Sequence, residues 1–249
     1  MRLTRSCWAV PGLCCLPPWW HNAGFVVGNA RTLVVDTGGN AAAAQTIHGY
    51  ATAVRPGQVL LAVNTEPHLD HLLGNSFFAD RGVEILGHAC IARTEADLTT
   101  WAEAVGACIP ERLRRDLHEE RSFFAGTRLL NPTRPIAADT ELELGGLTAR
   151  LLLTPGHTPA NLCVHIPDER VVYVADCLEP GHVPGLNGGP DDWRQWLASL
   201  DRIAALRAEI AVPGHGVLLT SAAAIDDEVQ RVRDVLLEAL RAGRAPTDC

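Results

Sequence analysis

Four side chains of types that commonly bind metal ions fall within six residues of this sequence. They lie in the segment TEPHLDH, residues 65–71, which directly follows an apolar run typical of a buried strand, and they are Glu66, His68, Asp70 and His71. A mixture of imidazole nitrogens and carboxylate oxygens suits zinc, iron or manganese, whereas calcium prefers oxygen ligands alone. The TEPHLDH segment therefore predicts part of a site for one of these three metals.

Three further candidate ligands stand at the ends of other predicted strands. His157 lies in TPGHTP, Asp176 ends the run VVYVAD, and His215 lies in PGHG. Because functional side chains are commonly carried by loops at one edge of a rigid scaffold, these three residues can converge on the TEPHLDH segment. The sequence thus offers seven candidate ligands from four separate parts of the chain.

The elements that must position these residues form two strand-rich halves, each followed by helices. Strands are predicted as a hairpin at 24–36 and as single strands at 58–64, 83–87, 141–144, 147–154, 162–166, 171–176 and 210–212. Helices are predicted at 40–54, across 91–124, at 190–207 and from 221 to about 241. This pattern indicates an α/β fold in which two sheets pack face to face with helices outside. No linker separates the halves, so we expect a single domain over residues 1–249.

Composition narrows the range of partners. Of the 249 residues, 47% are hydrophobic and 20% charged, which is typical of a folded domain. A formal net charge of −8 disfavours nucleic acid as a partner. No run approaches the roughly 20 apolar residues of a membrane span. Pro11, Pro17 and Pro18 interrupt the N-terminal apolar stretch before any signal-peptide core forms. We therefore expect a cytoplasmic protein that binds a small-molecule substrate, with no membrane or nucleic-acid partner.

The sequence resembles the metallo-β-lactamase superfamily, whose usual motif is THxHxDH followed by later His, Asp and His ligands. The resemblance spans roughly residues 22–220 and also includes the hairpin GFVVGNARTLVVDTGG, then TPGHTP and PGHG in that order. It implies an αββα four-layer sandwich with two mixed sheets. It also implies two divalent metal ions, with zinc expected first and iron or manganese as alternatives.

The resemblance also implies how the ligands divide between the two ions. One ion would be held by Glu66, His68 and His157 and the other by Asp70, His71 and His215, with Asp176 as the bridge. Cys177 is an alternative to Asp176, because a cysteine near this place is a ligand in some lactamase subclasses. Adjacent strand residues point to opposite faces, so only one of the two should face the metals, and Asp176 is favoured.

Glu66 departs from the family motif, which usually has His at this position. A carboxylate adds negative charge and a harder oxygen ligand, so it should shift the preference of the first ion somewhat toward iron or manganese. The alternative interpretation is that Glu66 has degraded the first site and left one metal or none.

The leading functional prediction is a metal-dependent hydrolase, in which a metal-bound hydroxide attacks an ester, thioester, lactone or amide carbonyl. Asp70 would both ligate a metal and orient that hydroxide. Three alternatives stay open: a di-iron or mono-iron oxidoreductase of the same fold, a β-lactamase-like enzyme with a variant first site, and a non-catalytic binding protein. His182, in the loop after Asp176, either touches the substrate or is an ordinary exposed histidine.

Overall fold

The computed structural model describes residues 1–12, 21–108 and 124–245. In these ranges the strands are β1 (Cys7–Val10), β2 (Ala23–Val27), β3 (Arg31–Val35), β4 (Val59–Asn64), β5 (Glu84–His88), β6 (Arg134–Ile136), β7 (Thr140–Glu143), β8 (Thr148–Leu153), β9 (Leu162–Ile166), β10 (Val171–Ala175) and β11 (Ile210–Pro213). The helices are α1 (Ala41–Val54), α2 (Leu69–Leu72), α3 (Asn75–Ala79), α4 (Glu95–Cys108), α5 (Pro190–Ala205) and α6 (Ala222–Ala242), with a 3-10 turn at Pro167–Glu169.

The strands form two mixed sheets. The first sheet has the order β1-β2-β3-β4-β5-β6, in which β1, β2 and β3 are antiparallel neighbours and β3 through β6 run parallel. The second sheet has the order β11-β10-β9-β8-β7, in which only β10 and β11 are parallel neighbours. Parallel neighbours require crossovers, and the helices between β3 and β4 and between β10 and β11 supply them.

The core lies between the sheets and also under the helices. Along β10, Val171 and Tyr173 pack between the two sheets, whereas Val172 and Val174 pack on the outer side against α5 and α6. A strand buried on both faces needs an apolar side chain at nearly every position, which explains the run VVYVA.

Helices cover the outer face of each sheet. Ile47 of α1 and Phe78 of α3 pack against the first sheet, and Trp196 of α5 and Val232 of α6 pack against the second. The protein is therefore an αββα sandwich, and the predicted fold class is confirmed. None of the helices in the described ranges has the length and apolar character needed to cross a bilayer.

The predicted strands and helices largely match the structure, with differences at the sheet edges. Strands β1 and β6 were not predicted, because each is short, pairs on one side only and carries little alternation, and β6 contains Pro135. In the helical stretch predicted at 91–124, a helix occupies Glu95–Cys108, and residues 109–123 lie outside the described residues.

Two parallel strand pairs, one in each sheet, end at the same edge of the sandwich. Strands β3 and β4 are followed by Asp36 and Thr65, and the backbone N–H of Thr65 donates to Asp36 Oδ1 at 2.7 Å. Strands β10 and β11 end with Ala175 and Pro213, and the N–H of Gly214 donates to the Ala175 carbonyl at 2.8 Å. This shared edge carries the candidate ligands.

Candidate metal centre

The TEPHLDH segment turns sharply away from the end of β4. The carbonyl of Thr65 accepts a hydrogen bond at 2.8 Å from the N–H of Leu162, the first residue of β9 in the other sheet. Helix α2 then begins at Leu69, with His68 as the residue before it. The one-turn helix places Asp70 and His71 beside each other, and both are buried.

His71 is held on both sides by hydrogen bonds. Its Nδ1 lies 3.0 Å from Asp36 Oδ2, and its carbonyl accepts from the N–H of Thr37 at 2.9 Å and from Asn64 Nδ2 at 3.1 Å. Since Nδ1–H donates to the carboxylate, the Nε2 lone pair is free to ligate a metal. Sequence reasoning assigned no role to Asp36, although its position directly after β3 and its φ of 60° are consistent with a functional constraint.

Four candidate ligands form a first cluster, namely Glu66, His68, His157 and Asp176, and their ligand atoms all lie within 4.8 Å of one another. Glu66 Oε1 is 2.7 Å from His68 Nδ1, and Glu66 Oε2 is 3.6 Å from His157 Nε2. Glu66 itself is completely buried. The carboxylate at the variant motif position therefore points into the centre of this cluster rather than out to solvent.

Asp70, His71 and His215 form a second cluster with the same 4.8 Å spacing limit. Asp70 Oδ2 lies 3.2 Å from His215 Nε2 and 3.9 Å from His71 Nε2. The segment before β2 secures the loop that carries His215, because Asn22 Nδ2 donates to the carbonyls of Pro213 at 3.0 Å and Gly216 at 2.9 Å.

Asp176 lies between the first and second clusters. Its Oδ1 is 3.4 Å from His71 Nε2, and its Oδ2 is 3.6 Å from both His157 Nε2 and His215 Nε2. The pairing of β10 with β11 shifts register just before Ala175, which has a φ of 48°. This irregularity redirects the chain, so that the Asp176 carboxylate turns into the site.

Cys177 points the other way, into the core under the helices. Its Sγ lies 3.5 Å from both the carbonyl and the Oγ1 of Thr154, and Asn161 Nδ2 donates to it at 3.7 Å. It packs in the same apolar cluster as Trp193 and Trp196. The geometry thus brings Asp176, and not Cys177, to the other candidate ligands.

The absence of a side chain at Gly214 is required by the position of Asp176. A Cβ placed on Gly214 would overlap Asp176 Oδ1 and would lie 3.0 Å from His71 Cε1. The site therefore has room for the carboxylate only because residue 214 is glycine. Gly214 belongs to the PGHG motif that supports the family resemblance, but the motif alone does not predict its contact with Asp176.

The electrostatics of the centre reflect three carboxylates among four imidazoles. The Glu66 charge raises the pKa of His68 to about 9. Burial opposes the charged form of His215, but the charge of Asp176 and the hydrogen bond with Asp70 raise its pKa to about 10. Protons on the imidazoles therefore balance the carboxylates, and a bound cation would take their place and release them.

Some polar atoms in the centre have no hydrogen-bonding partner among the described residues. Glu66 Oε2 and His71 Nε2 are buried and form no hydrogen bond. Leaving a buried polar atom unsatisfied costs about 1–3 kcal/mol. A divalent cation would be a partner for both atoms, so the residues present fit the metal ions that the sequence predicts.

A groove of about 940 Å³ opens over both clusters. One wall is the face of α4 that carries Ala96, Trp101 and Ala104, and the opposite wall is the loop that carries Glu179 and His182. Its floor contains candidate ligands from both clusters, namely His68, Asp70, His157, Asp176 and His215. His182 lines this groove, which is the arrangement expected if its side chain contacts the substrate.

A further buried histidine lies beneath the second cluster. His21 is fully buried, its ring lies edge-on to that of His71 with centroids 4.1 Å apart, and it forms an isolated β-bridge with His215. Burial holds its pKa well below the usual value, so the ring is neutral. Sequence reasoning assigned no metal-related role to His21.

Comparisons with known proteins show what the chain is similar to. A family model described as the metallo-beta-lactamase superfamily matches residues 16–215. The linear primary-alkylsulfatase of Pseudomonas sp. (strain ATCC 19151) is 23% identical over 231 residues, which cover 82% of this chain and 43% of the alkylsulfatase. A hydroxyacylglutathione hydrolase of Rhizobium etli is 32% identical over 117 residues, or 44% of each protein. The chain thus spans less than half the length of these curated relatives.

Solved structures share the fold over nearly the whole chain. A metallo-beta-lactamase from Pontibacter korlensis superposes with a TM-score of 0.68 at 15% identity and covers 94% of this chain and 98% of its own. A metallo-beta-lactamase family protein from Thermus thermophilus superposes with a TM-score of 0.69 at 22% identity, and the superposition covers 97% of this chain and 82% of the Thermus protein. At these identities the similarity supports the fold and no particular activity.

Proposed function

The chain belongs to the metallo-β-lactamase superfamily, and from that premise we propose that it is a hydrolase with two divalent metal ions, which cleaves an ester or thioester. One observation carries the proposal: Asp176 of the first cluster also faces His71 and His215 of the second, and both clusters contribute residues to the lining of one groove. The proposed ligands are those predicted from the sequence, with Glu66, His68 and His157 for the first ion, Asp70, His71 and His215 for the second, and Asp176 between them.

Two cations held there would activate water and polarise the substrate carbonyl. The side chains of the protein would position the water and hold the metal ligands in place. Asp70 faces the groove, where its carboxylate can accept a proton from the attacking water and hold the water in line with the carbonyl. Asp36 fixes the tautomer and the orientation of His71 from behind.

The groove favours a substrate with an apolar acyl group. Leu69, Ala96, Trp101 and Ala104 line the groove together with Asp70 and form an apolar strip among polar neighbours, and Val183 also lines it. An acyl chain lying on this strip would bury apolar surface while its carbonyl reaches the metal ions. The curated relatives include an alkylsulfatase, an acyl carrier protein thioesterase and a hydroxyacylglutathione hydrolase, and this range is consistent with hydrolysis at an ester or thioester bond.

An iron-dependent oxidoreductase is the second candidate function. The observation in its favour is the third carboxylate, Glu66, which makes the ligand set richer in hard oxygen atoms. Hydrolysis is preferred because the ligand set retains the imidazoles of His68 and His157 beside that carboxylate, and because the relatives named above are hydrolases.

Elemental analysis combined with a substrate panel tests the proposal. Purified protein should contain two zinc ions per chain and should hydrolyse octanoyl thioesters with a lower KM than acetyl thioesters, because the longer chain covers the apolar strip. Removal of the metal with a chelator should abolish turnover, and zinc should restore it. Lactones and β-lactams complete the panel.

Other results of that experiment would replace the proposal. Two iron ions with a visible charge-transfer band and no hydrolysis would favour the oxidoreductase. Substoichiometric metal with no turnover would favour a binding role. Equal KM values for acetyl and octanoyl substrates would refute the assignment of the apolar strip while leaving hydrolysis in place.

Replacement of Glu66 by histidine tests the variant motif position. Glu66→His should retain both ions, because it restores the usual family ligand, and it should shift the metal preference of the first site away from iron and manganese toward zinc. Competition between zinc and manganese, followed by elemental analysis, measures this shift. Glu66→Gln is the matched control, since it keeps the shape, removes the charge and should weaken the first site. Loss of metal from Glu66→His would indicate a pocket that accepts only the carboxylate.

A further inference from the structure

Glu179 occupies a protected position beside the metal centre. It follows Asp176 by three residues, lines the groove and has a side chain only 12% exposed. Arg231 of α6 fixes the backbone at this point, because its Nη2 donates to the Glu179 carbonyl at 3.1 Å. A buried carboxylate on an anchored backbone is costly unless it has a partner.

The side chain of Glu179 faces the ring nitrogen of His157 that the metal would not use. Glu179 Oε1 lies 3.6 Å from His157 Nδ1, while His157 Nε2 points toward Glu66 and Asp176. Both Glu179 Oε1 and His157 Nδ1 are buried, and neither forms a hydrogen bond with any described residue. Closing this distance by about half an ångström would satisfy both atoms at once.

Among the described residues, the rest of the His157 environment fixes its backbone and one ring face but offers Nδ1 no acceptor. Asn187 Nδ2 donates to the His157 carbonyl at 3.1 Å, and the ring packs edge-on to Trp196 with centroids 5.6 Å apart. Neither contact selects the tautomer of the ring, and the remaining contact, between His157 Nε2 and His68 Nδ1 at 3.2 Å, joins two proposed ligands on the side where the first ion would bind. Glu179 is the neighbour that has the chemistry to do so.

The second cluster shows the same arrangement already formed. There, Asp36 Oδ2 lies 3.0 Å from His71 Nδ1, and His71 Nε2 faces the centre. Each cluster thus has a histidine from the centre with a carboxylate behind it, one supplied by the end of β3 and one by the loop after β10.

We infer that Glu179 is a positioning residue of the metal centre: its carboxylate accepts a hydrogen bond from His157 Nδ1–H and so presents Nε2 to the first ion. This inference rests on the proposed function only in that it requires a metal at the first cluster. It requires no particular substrate or reaction. A carboxylate behind a ligating histidine orients the ring and makes it a stronger ligand.

Metal titration of variants tests this role without reference to turnover. The metal-stripped full-length protein is titrated with zinc against a chromophoric chelator, and with cobalt(II), whose visible spectrum reports its ligands. Glu179→Ala should weaken binding of the first ion about 10- to 100-fold and leave the second ion unchanged. Glu179→Gln keeps an oxygen acceptor and should retain most of the affinity.

A second acidic residue of the groove supplies the matched control. Asp97 lines the same groove, but its carboxylate accepts from the N–H of Thr94 at 2.7 Å and contacts no proposed ligand. Asp97→Asn removes one negative charge from the groove and should leave both metal affinities unchanged. If Asp97→Asn weakens binding of the first ion as Glu179→Ala does, the loss of affinity comes from the change in net charge and the positioning role is wrong.

The remaining outcomes separate the two proposals. Wild-type affinity for both ions in Glu179→Ala, or equal losses in the Ala and Gln variants, would overturn the positioning role. Loss of the first ion in Glu179→Ala, together with wild-type protein that binds two ions and hydrolyses nothing in the panel, would support Glu179 and refute the hydrolase. Wild-type protein without a first ion would overturn both.

Discussion

Replacing Asp70 by alanine is expected to lower kcat/KM by at least about 10³-fold while leaving the fold intact, within the range that one positioned proton-transfer group provides. The variant loses the oxygen that lies 3.2 Å from His215 Nε2, and with it a proposed ligand of the second ion and the proposed proton acceptor at the groove. Steady-state hydrolysis of the best panel substrate measures the loss. Circular dichroism and elemental analysis of the same sample report the fold and the remaining metal.

The control for Asp70→Ala is an equivalent change far from the centre. Asp227 is an exposed residue of α6, so Asp227→Ala removes the same group and should keep wild-type turnover. His68→Ala should resemble Asp70→Ala in activity but should release the first ion rather than the second. Unchanged turnover in either His68→Ala or Asp70→Ala would refute the roles assigned to these residues.

Replacing Gly214 by alanine is the second change with a large expected effect. The new methyl group would overlap the oxygen of Asp176 that lies nearest His71, so either the carboxylate or the end of β11 must move. We expect turnover to fall to background, the metal content to drop and the free energy of unfolding to decrease by about 1–3 kcal/mol, as for an overpacked core. Activity, elemental analysis and urea unfolding measure the three effects.

A glycine without neighbours serves as the control for Gly214→Ala. Gly49 lies within α1, and a Cβ placed there meets no atom within 4 Å. Gly49→Ala should therefore keep wild-type activity and gain about 0.5–1 kcal/mol of stability, since alanine loses less conformational freedom than glycine in a helix. Wild-type metal content in Gly214→Ala would mean that the site tolerates displacement of Asp176, and our view of its packing would be wrong.

The fold and the candidate ligands were largely predictable because both depend on short-range patterns. The TEPHLDH segment places four ligand types together after an apolar strand, and the runs that end at Asp176 and His215 are strands with recognisable periodicity. Strand and helix order then predicts the layers of the sandwich. The structure brings all seven predicted residues into the two clusters.

The residues that orient the ligands were not predictable, because their partners are distant in sequence. Asp36 and His71 are separated by 35 residues, and Glu179 and His157 meet only through the packing of two loops. In the sequence, Asp36 looks like any acidic residue at the end of a strand, and Glu179 looks like any acidic residue of a loop. Only the three-dimensional arrangement shows a carboxylate behind an imidazole.

The sequence patterns also did not predict the local backbone geometry at the end of β10. Simple alternation predicts that Asp176 and Cys177 face opposite sides, but it does not determine which of them faces the site. The register shift before Ala175 and its positive φ decide the matter by rotating the end of β10. An alanine in the sequence does not indicate such a conformation, because positive φ values are far more common for glycine and asparagine.

The proposed ions would tie the two sheets together. His68 and Asp70 follow a strand of the first sheet, whereas Asp176 and His215 follow strands of the second, so each ion would tether one half of the sandwich to the other. An ion that binds only the folded chain adds about 2.7 kcal/mol of stability when its free concentration is 100 times its Kd. The metal available to the protein would then govern how long each molecule survives proteolysis as well as how fast it works.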